Sequence, residues 1–210
     1  MSLHVVENVL PVPVTELSRR LLARQQGPAR IRQPVAVIGP GDGDEQVCTA
    51  ARFIARQLAL SGLAVICGGR GGVMAAASQG AVEAGGIAIG VLPEDDTRAA
   101  NPWLTVAIPT GMGEMRNAVI ARSAICLVAI GGNMGTLSEM AMGLKWGKPV
   151  FTLHADMALP GATDCTEPEQ LLAVLLEWLL ASPTPPGPPA TVQSAVSYTH
   201  LRAHETRGNL

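Results

Sequence analysis

Charged and aromatic residues are scarce in this sequence. Charged side chains make up 15% of the 210 residues, aromatic side chains make up 3%, and the formal net charge is −2. The basic residues include only two lysines, Lys145 and Lys148, and they form no basic run. Without a basic surface the protein has no long-range attraction for nucleic acid, so we expect no nucleic-acid partner.

The chain also lacks the cysteine pattern of a metal site and the long apolar run of a membrane span. Its cysteines form no CxxC motif and lie near no histidine at metal-ligand spacing. Isolated thiols of this kind are typical of a reducing compartment. No segment approaches the roughly 20 apolar residues that span a bilayer, and no basic segment followed by an apolar run resembles a signal peptide. We therefore expect a cytoplasmic protein with no metal, no other cofactor and no membrane partner.

Continuous apolar runs alternate with helical patterns from Pro34 onward. Hydrophobic residues make up 48% of the chain, enough for one substantial core. Strands without polar alternation are buried on both faces, as in a parallel sheet with helices on each side. We predict an α/β fold, a single doubly wound Rossmann-like domain. The predicted strands are 34–38, 63–67, 87–92, 104–108, 125–130 and 149–153, and the predicted helices are about 45–60, 72–84, 112–122, 135–146 and 168–180.

Two segments flank this domain, which we place at residues 34–181. Residues 1–33 contain a short helical pattern from Val14 to Gln25, and we interpret them as an N-terminal appendage outside the core. Residues 182–210 begin with a proline-rich linker, which can form neither a helix nor a sheet ladder. From residue 191 onward hydrophobic periodicity is missing, so we interpret this part as a foreign or disordered tail.

A glycine-rich turn at residues 131–135 lies between the apolar run 125–130 and a predicted helix. The first N–H groups of a helix have no acceptor within it and lie at the positive end of its dipole, so such a turn binds anions. Glu139, one helical turn further along, places a carboxyl group close to the bound anion. The residues that we predict to bind a phosphate group are Gly131, Gly132, Asn133, Gly135 and Thr136.

Two more glycine-rich turns, beginning at Gly39 and Gly68, follow predicted strands. Ligands of an open parallel sheet lie outside the carboxyl ends of the strands, so the turns are expected to face one crevice. The first turn lacks the GxGxxG spacing of dinucleotide-binding proteins, and we interpret Asp42 and Asp44 as turn and cap residues. From these two turns we expect ligand contacts at Gly39, Gly41, Gly68, Gly69, Arg70, Gly71, Gly72 and Met74.

Four segments together resemble the LOG family, whose members are often labelled lysine decarboxylases. They are residues 68–74, 101–102, 109–117 and 131–139. The resemblance covers about residues 34–155 and is closest to the branch related to molybdenum cofactor carrier proteins and the DprA Rossmann domain. A decarboxylase that uses pyridoxal phosphate needs a Schiff-base lysine. Both lysines of this chain lie at the far end of a helix that leads away from the loop, so the decarboxylase label does not fit.

The resemblance implies a phosphoribohydrolase that cleaves the N-glycosidic bond of a nucleoside 5′-monophosphate, of the AMP or cytokinin type, to a base and ribose 5-phosphate. It also implies Arg116 and Glu139 as catalytic residues, because they match the helix arginine and the glutamate that ends the PGGxGTxxE motif. The sequence departs from the family at three places: Gly131-Gly132-Asn133 replaces Pro-Gly-Gly, Asn117 replaces a lysine, and Ser138 replaces an acidic residue.

Two functions remain open from the sequence. The Arg116 and Glu139 pair favours hydrolysis, in which a carboxylate stabilises the charge that develops on the sugar. Glycoside cleavage usually needs two carboxyl groups, and Glu114 is a weak second candidate, which favours a non-catalytic carrier or sensor of a phosphorylated ligand such as the molybdenum cofactor. The apolar circumference of the helix 135–146 and the family resemblance predict a homodimer. Residues 93–103 form either a lid over the crevice or a solvated loop.

Overall fold

A computed structural model of the protein describes residues 12–155, 157 and 159–183. Within these residues, seven parallel strands form one sheet. The strands are β1 (Val35–Ile38), β2 (Val65–Cys67), β3 (Ala88–Leu92), β4 (Val106–Pro109), β5 (Leu127–Ile130), β6 (Val150–Leu153) and β7 (Thr163–Cys165). They lie in the order β4-β3-β2-β1-β5-β6-β7, and Val37 of β1 pairs with Val128 of β5.

Helices cover both faces of the sheet. They are α1 (Val12–Gln25), α2 (Glu45–Leu60), α3 (Val73–Glu83), α4 (Arg116–Ser123), α5 (Met134–Lys145) and α6 (Pro168–Ala181). Val35 and Val37 pack with residues of α1, α2, α3 and α6, whereas Ala36 and Ile38 pack with residues of α4 and α5. Successive strand residues point to opposite faces, so this two-sided burial explains the unbroken apolar runs and confirms the doubly wound α/β fold.

One short strand, β7, and one helix boundary differ from the sequence prediction. Of the three residues of β7, only Cys165 is buried, so the strand has no apolar run that a sequence pattern could reveal. A 3-10 turn at Gly113–Met115 precedes α4, which therefore begins at Arg116 instead of residue 112. The other predicted elements are present, with ends shifted by one or two residues.

Helix α1 packs against the core, so the interpretation of this segment as lying outside the core is wrong. Its apolar residues Val14, Leu17 and Leu21 are buried in the same cluster as the leucines of α6. Arg24 also donates hydrogen bonds to the carbonyl oxygens of Leu179 and Ser182, at 2.7 and 3.0 Å. The limits proposed for the domain stay a prediction, and residues 1–11 and 184–210, which include the predicted tail, lie outside the described residues.

The strand order reverses between β1 and β5, and the carboxyl ends of these two strands lie side by side. Open parallel sheets bind ligands at such a point, because the loops after the two strands separate there. Gly39 makes this arrangement possible, since a Cβ at this position would lie 2.5 Å from the Ile130 carbonyl oxygen and 2.5 Å from Val73 Cγ1. In the described part of the chain, no helix is long and apolar enough to cross a membrane.

Candidate ligand-binding site

A cavity of about 390 Å³ lies over the carboxyl ends of β1, β2 and β5. Residues of all three glycine-rich turns line it, together with Arg116 and Glu139. The predicted ligand-contact residues that line it are Gly39, Gly41, Gly68, Arg70, Gly71 and Met74, and the predicted phosphate-binding residues that line it are Asn133, Gly135 and Thr136. The structure therefore brings most of the predicted site residues into one space, including both residues that the family resemblance implies as catalytic.

Four predicted residues, Gly69, Gly72, Gly131 and Gly132, do not line this cavity. Gly69 and Gly72 have φ values of +76° and +58°, and a Cβ on Gly72 would lie 2.5 Å from the Pro40 carbonyl oxygen. These two glycines therefore shape the second turn. Gly131 and Gly132 line a neighbouring cavity of about 520 Å³ on the other side of Asn133.

Asn133 caps the N-terminus of α5. Its side-chain oxygen accepts hydrogen bonds from the Thr136 backbone N–H at 3.0 Å and from the Thr136 hydroxyl at 3.2 Å. Met134 and Gly135 are the first two residues of the helix, and their N–H groups have no acceptor within it. An anion at this turn would therefore bind the N–H groups of Met134 and Gly135, and it would displace Asn133 to gain the N–H group of Thr136.

Arg116 and Glu139 face each other inside the cavity with little exposure to solvent. The distance from Arg116 Nη1 to Glu139 Oε1 is 3.8 Å, and both side chains are less than a tenth exposed. Arg116 lies over Gly68, where a Cβ would be 2.6 Å from Nη2. The separation of 3.8 Å is too long for a hydrogen bond, so the two groups interact through charge and leave hydrogen-bonding capacity for a ligand.

Burial raises the pKa of Glu139 to about 8. The positive charge of Arg116 opposes this shift, and the negative charge of Glu114 adds to it. Desolvation disfavours the charged form of a carboxyl group, and at this distance Arg116 compensates only in part. At neutral pH Glu139 is therefore mainly a neutral acid that can donate a proton, in contrast to the ionised carboxylate that the sequence led us to expect.

Two of the departures from the LOG pattern are in direct contact. Asn117 Nδ2 donates a hydrogen bond to Ser138 Oγ at 3.2 Å, and Ser138 Oγ donates to the Gly135 carbonyl oxygen at 2.7 Å. Asn117 Oδ1 also accepts a hydrogen bond from Arg116 Nη1. The two replacements thus form one neutral hydrogen-bonded pair that links α4 to the first turn of α5. Sequence reasoning missed Asn117 as a site residue, although its position beside Arg116 was a usable signal.

The segment 93–103 is attached to the second glycine-rich turn. Asn101 Nδ2 donates hydrogen bonds to the carbonyl oxygens of Gly69 and Arg70, both at 3.1 Å. Arg70 Nη2 forms an ion pair with Glu94 at the start of the segment. The segment is therefore held beside the cavity in this structure, and Asn101 acts on the turn through its backbone. No cluster of three or more His, Cys, Asp or Glu side chains within the described ranges is placed to hold a metal ion.

The fold and the cavity define a Rossmann-like protein with a site at the reversal of strand order. Residues 32–175 match the model of the SLOG cluster 4 family. The chain belongs to this family, and the resemblance to LOG proteins read from the sequence is confirmed.

Two curated relatives match the chain. An uncharacterised protein of Archaeoglobus fulgidus is 36% identical over 136 residues, which are 65% of this chain and 89% of the relative. A cytokinin riboside 5′-monophosphate phosphoribohydrolase of Arabidopsis thaliana is 30% identical over 139 residues, which are 61% of this chain and 60% of the relative. The chain thus spans less than two thirds of the plant enzyme.

Among solved structures, two molybdenum cofactor proteins are similar to the chain over nearly their whole length. The molybdenum cofactor binding protein of Rippkaea orientalis is 33% identical with a TM-score of 0.66, covering 72% of this chain and 99% of that one. The molybdenum cofactor carrier protein of Chlamydomonas reinhardtii is 32% identical with a TM-score of 0.64, covering 72% and 100%. DNA processing protein A of Helicobacter pylori, at 19% identity and a TM-score of 0.57, shares the fold alone. The absence of a nucleic-acid partner stays a prediction.

Proposed function

We propose that this protein binds a phosphorylated small molecule in the cavity of about 390 Å³, with the phosphate group at the first turn of α5. One observation carries the proposal: the turn Asn133–Thr136 opens into the same cavity as the buried Arg116 and Glu139. Free N–H groups and the helix dipole suit a phosphate there. The phosphorylated ligands named for the plant relative and the cofactor named for the solved structures support this class of ligand.

We further propose that the bound molecule is a nucleoside 5′-monophosphate and that Glu139 cleaves its glycosidic bond as a general acid. In this reaction the C1′–N bond breaks, the base keeps the electron pair, and the Glu139 carboxyl group donates a proton to the base. Water then attacks C1′ and returns a proton to the carboxylate. A single acid with a pKa of about 8 performs both transfers, which reduces the need for a second carboxyl group. Arg116 would hold the ribose and keep Glu139 in place.

A carrier function is the second candidate. It is favoured by the likeness to the two molybdenum cofactor proteins, which extends over 99% and 100% of their chains. Glu114 also lines the cavity, but it lies in an exposed turn and is poorly placed to act as a second acid. In this function the cavity would hold a phosphorylated pterin without changing it, and Arg116 and Glu139 would contribute affinity alone.

Release of adenine from AMP distinguishes the two functions. For a hydrolase, Glu139→Gln should lower turnover by at least about 100-fold, because the amide cannot donate the proton in the transition state. The affinity for AMP should change little, because the amide matches the neutral acid in shape and charge. Glu83→Gln, which changes an exposed carboxylate paired with Arg52, is the matched control and should keep wild-type turnover.

Three outcomes of this assay have different meanings. Adenine release that persists in Glu139→Gln would refute the assignment of the acid. AMP that binds and stays intact in wild-type protein, with affinity lost in Arg116→Ala, would support the carrier. Failure of AMP, inorganic phosphate and a pterin monophosphate to bind at millimolar concentration would refute the phosphate site itself.

We also propose that the protein is a cytoplasmic homodimer. Helix α5 supports the dimer in part: Met140 is buried, but Met134 at its start is 74% exposed, and Leu137 and Leu144 are half-buried. An apolar surface of this kind favours contact with another protein surface. Light scattering at micromolar concentration should give twice the mass of the chain, and the mass of a monomer would refute the dimer.

A further inference from the structure

The neighbouring cavity of about 520 Å³ lies on the other side of the turn that we propose to hold phosphate. Asn133 lines both cavities, whereas Gly131 and Gly132 line only this second one. Its remaining boundary comes from the loop after β1, the first turn of α2 and the residue that follows β6. A phosphate group bound at the turn would therefore have open space in two directions.

His154, the residue after β6, borders this second cavity in an unusual backbone conformation. Its φ is +53°, and within the described ranges it is the one non-glycine residue with a positive φ. The left-handed region is unfavourable for residues with a Cβ, and residues in this strained conformation cluster at functional sites. Among the described residues its imidazole has no hydrogen-bond or ion-pair partner, although it is half-buried.

Two other polar side chains border the second cavity, Asp42 and Gln46; both are exposed to solvent and have no partner among the described residues. Asp44 differs from them, because its carboxylate accepts a hydrogen bond from the Val47 N–H at 3.0 Å and so caps α2. The free groups are thus one carboxylate, one amide and one imidazole. A carboxylate accepts hydrogen bonds from sugar hydroxyls, and an imidazole N–H or an amide can donate to phosphoryl oxygens.

We infer that the second cavity is a binding subsite for the distal half of a ligand with a diphosphate at its centre, the class of nucleoside diphosphate sugars. One phosphoryl group would bind at the first turn of α5, and its nucleoside would occupy the cavity with Arg116 and Glu139. The other phosphoryl group would contact His154, and the distal sugar would contact Asp42. Both cavities have volumes in the range of small-molecule sites. This inference rests on the proposed phosphate site.

Calorimetric titration with AMP and with ADP-ribose tests the second subsite. ADP-ribose should bind at least about 10-fold more tightly than AMP, because it adds contacts in the second cavity that AMP cannot make. In His154→Gly the ratio of the two dissociation constants should fall to near one. Glycine adopts a φ of +53° without strain, so this variant should fold with a thermal midpoint close to that of wild type. His154→Asn, which tolerates the left-handed region and keeps a donor, should retain part of the preference.

The two proposals fail in different ways. If neither AMP nor ADP-ribose binds, the proposed nucleotide-cleaving function and the second subsite are both refuted. If AMP binds but ADP-ribose binds no more tightly, the phosphate site stands and the second subsite is refuted. If His154→Gly weakens both ligands by the same factor, His154 acts on the first cavity through the fold, and the second subsite is again refuted. If the preference is lost in His154→Gly and partly kept in His154→Asn, the second subsite is supported.

Discussion

Replacing Glu139 with glutamine should make the protein more stable at alkaline pH. The unfolded chain exposes Glu139 to water, where its pKa has the usual value of 4.5, whereas burial in the folded protein raises the pKa to about 8. A raised folded-state pKa contributes stability that is fully present below pH 4.5 and is lost as the pH rises toward 8. Glutamine keeps the shape of the neutral acid and cannot ionise, so the variant escapes this loss.

The size of the effect follows from the two pKa values. Between 4.5 and about 8, at about 1.4 kcal/mol per unit, the upper limit on the stability lost is about 5 kcal/mol. Relaxation around the ionised carboxylate and entry of water reduce this limit. We therefore expect the free energy of unfolding of Glu139→Gln to equal that of wild type near pH 5 and to exceed it by at least about 2 kcal/mol at pH 9.

Urea unfolding between pH 5 and 9, in buffers without phosphate or sulfate, measures this difference. Buffer anions are avoided because they would bind at the proposed site and stabilise the folded state. The pKa of Glu83 is lowered, chiefly by its hydrogen bonds from Arg52, so it is ionised in both states above pH 6. Glu83→Gln should therefore shift stability by an amount that is constant between pH 6 and 9. A constant difference for Glu139→Gln over the same range would refute the burial of a neutral Glu139.

Two further predictions concern the residues that hold Arg116. Gly68→Ala should weaken AMP binding at least about 10-fold, because its Cβ would lie 2.6 Å from Arg116 Nη2 and displace the guanidinium. Calorimetry measures the affinity. A shift of the thermal midpoint as large as in Arg116→Ala would point to misfolding instead. Asn117→Lys and Ser138→Glu should each lower the free energy of unfolding. The double variant should lose at least about 1 kcal/mol less than the sum of the two single losses, because it pairs two charges that the single variants leave unpaired. Additive effects in urea unfolding would show that the contact of 3.2 Å between Asn117 and Ser138 carries no coupling.

The sequence predicted the sheet, the three glycine-rich turns and the grouping of Arg116 with Glu139. These features depend on local patterns, because a doubly covered parallel strand needs an unbroken apolar run and the loops at one edge of the sheet must meet. The turn beginning at Gly131 was the clearest case. Gly131 itself has a φ of +65°, which favours glycine directly after β5, and the turn leads directly into a helix.

The features that the sequence did not predict depend on distant partners. The apolar face of helix α1 is visible in the sequence, but its partner α6 lies more than 150 residues away. No local sequence pattern predicts the hydrogen bond from Arg24 to the Leu179 carbonyl oxygen. The residue that caps α5 could not be identified from the sequence, because Asn133 and Thr136, three positions apart, are both good cap types. The pKa of Glu139 could not be predicted either, since its cause is the burial that the whole fold creates.

The two departures from the LOG pattern at residues 117 and 138 leave the net charge beside the cavity unchanged. A lysine at 117 and an acid at 138 would add one positive and one negative charge, whereas Asn117 and Ser138 add none and hold each other by a hydrogen bond. Arg116 faces a largely neutral Glu139, and the two lining arginines, Arg70 and Arg116, outnumber the carboxylate of Glu114, so the lining carries a net positive charge. A phosphate group is attracted to that charge, and its own negative charge further favours the acid form of Glu139. Binding of the ligand and protonation of Glu139 therefore reinforce each other, and the bound state holds the proton that cleavage of a glycosidic bond would need.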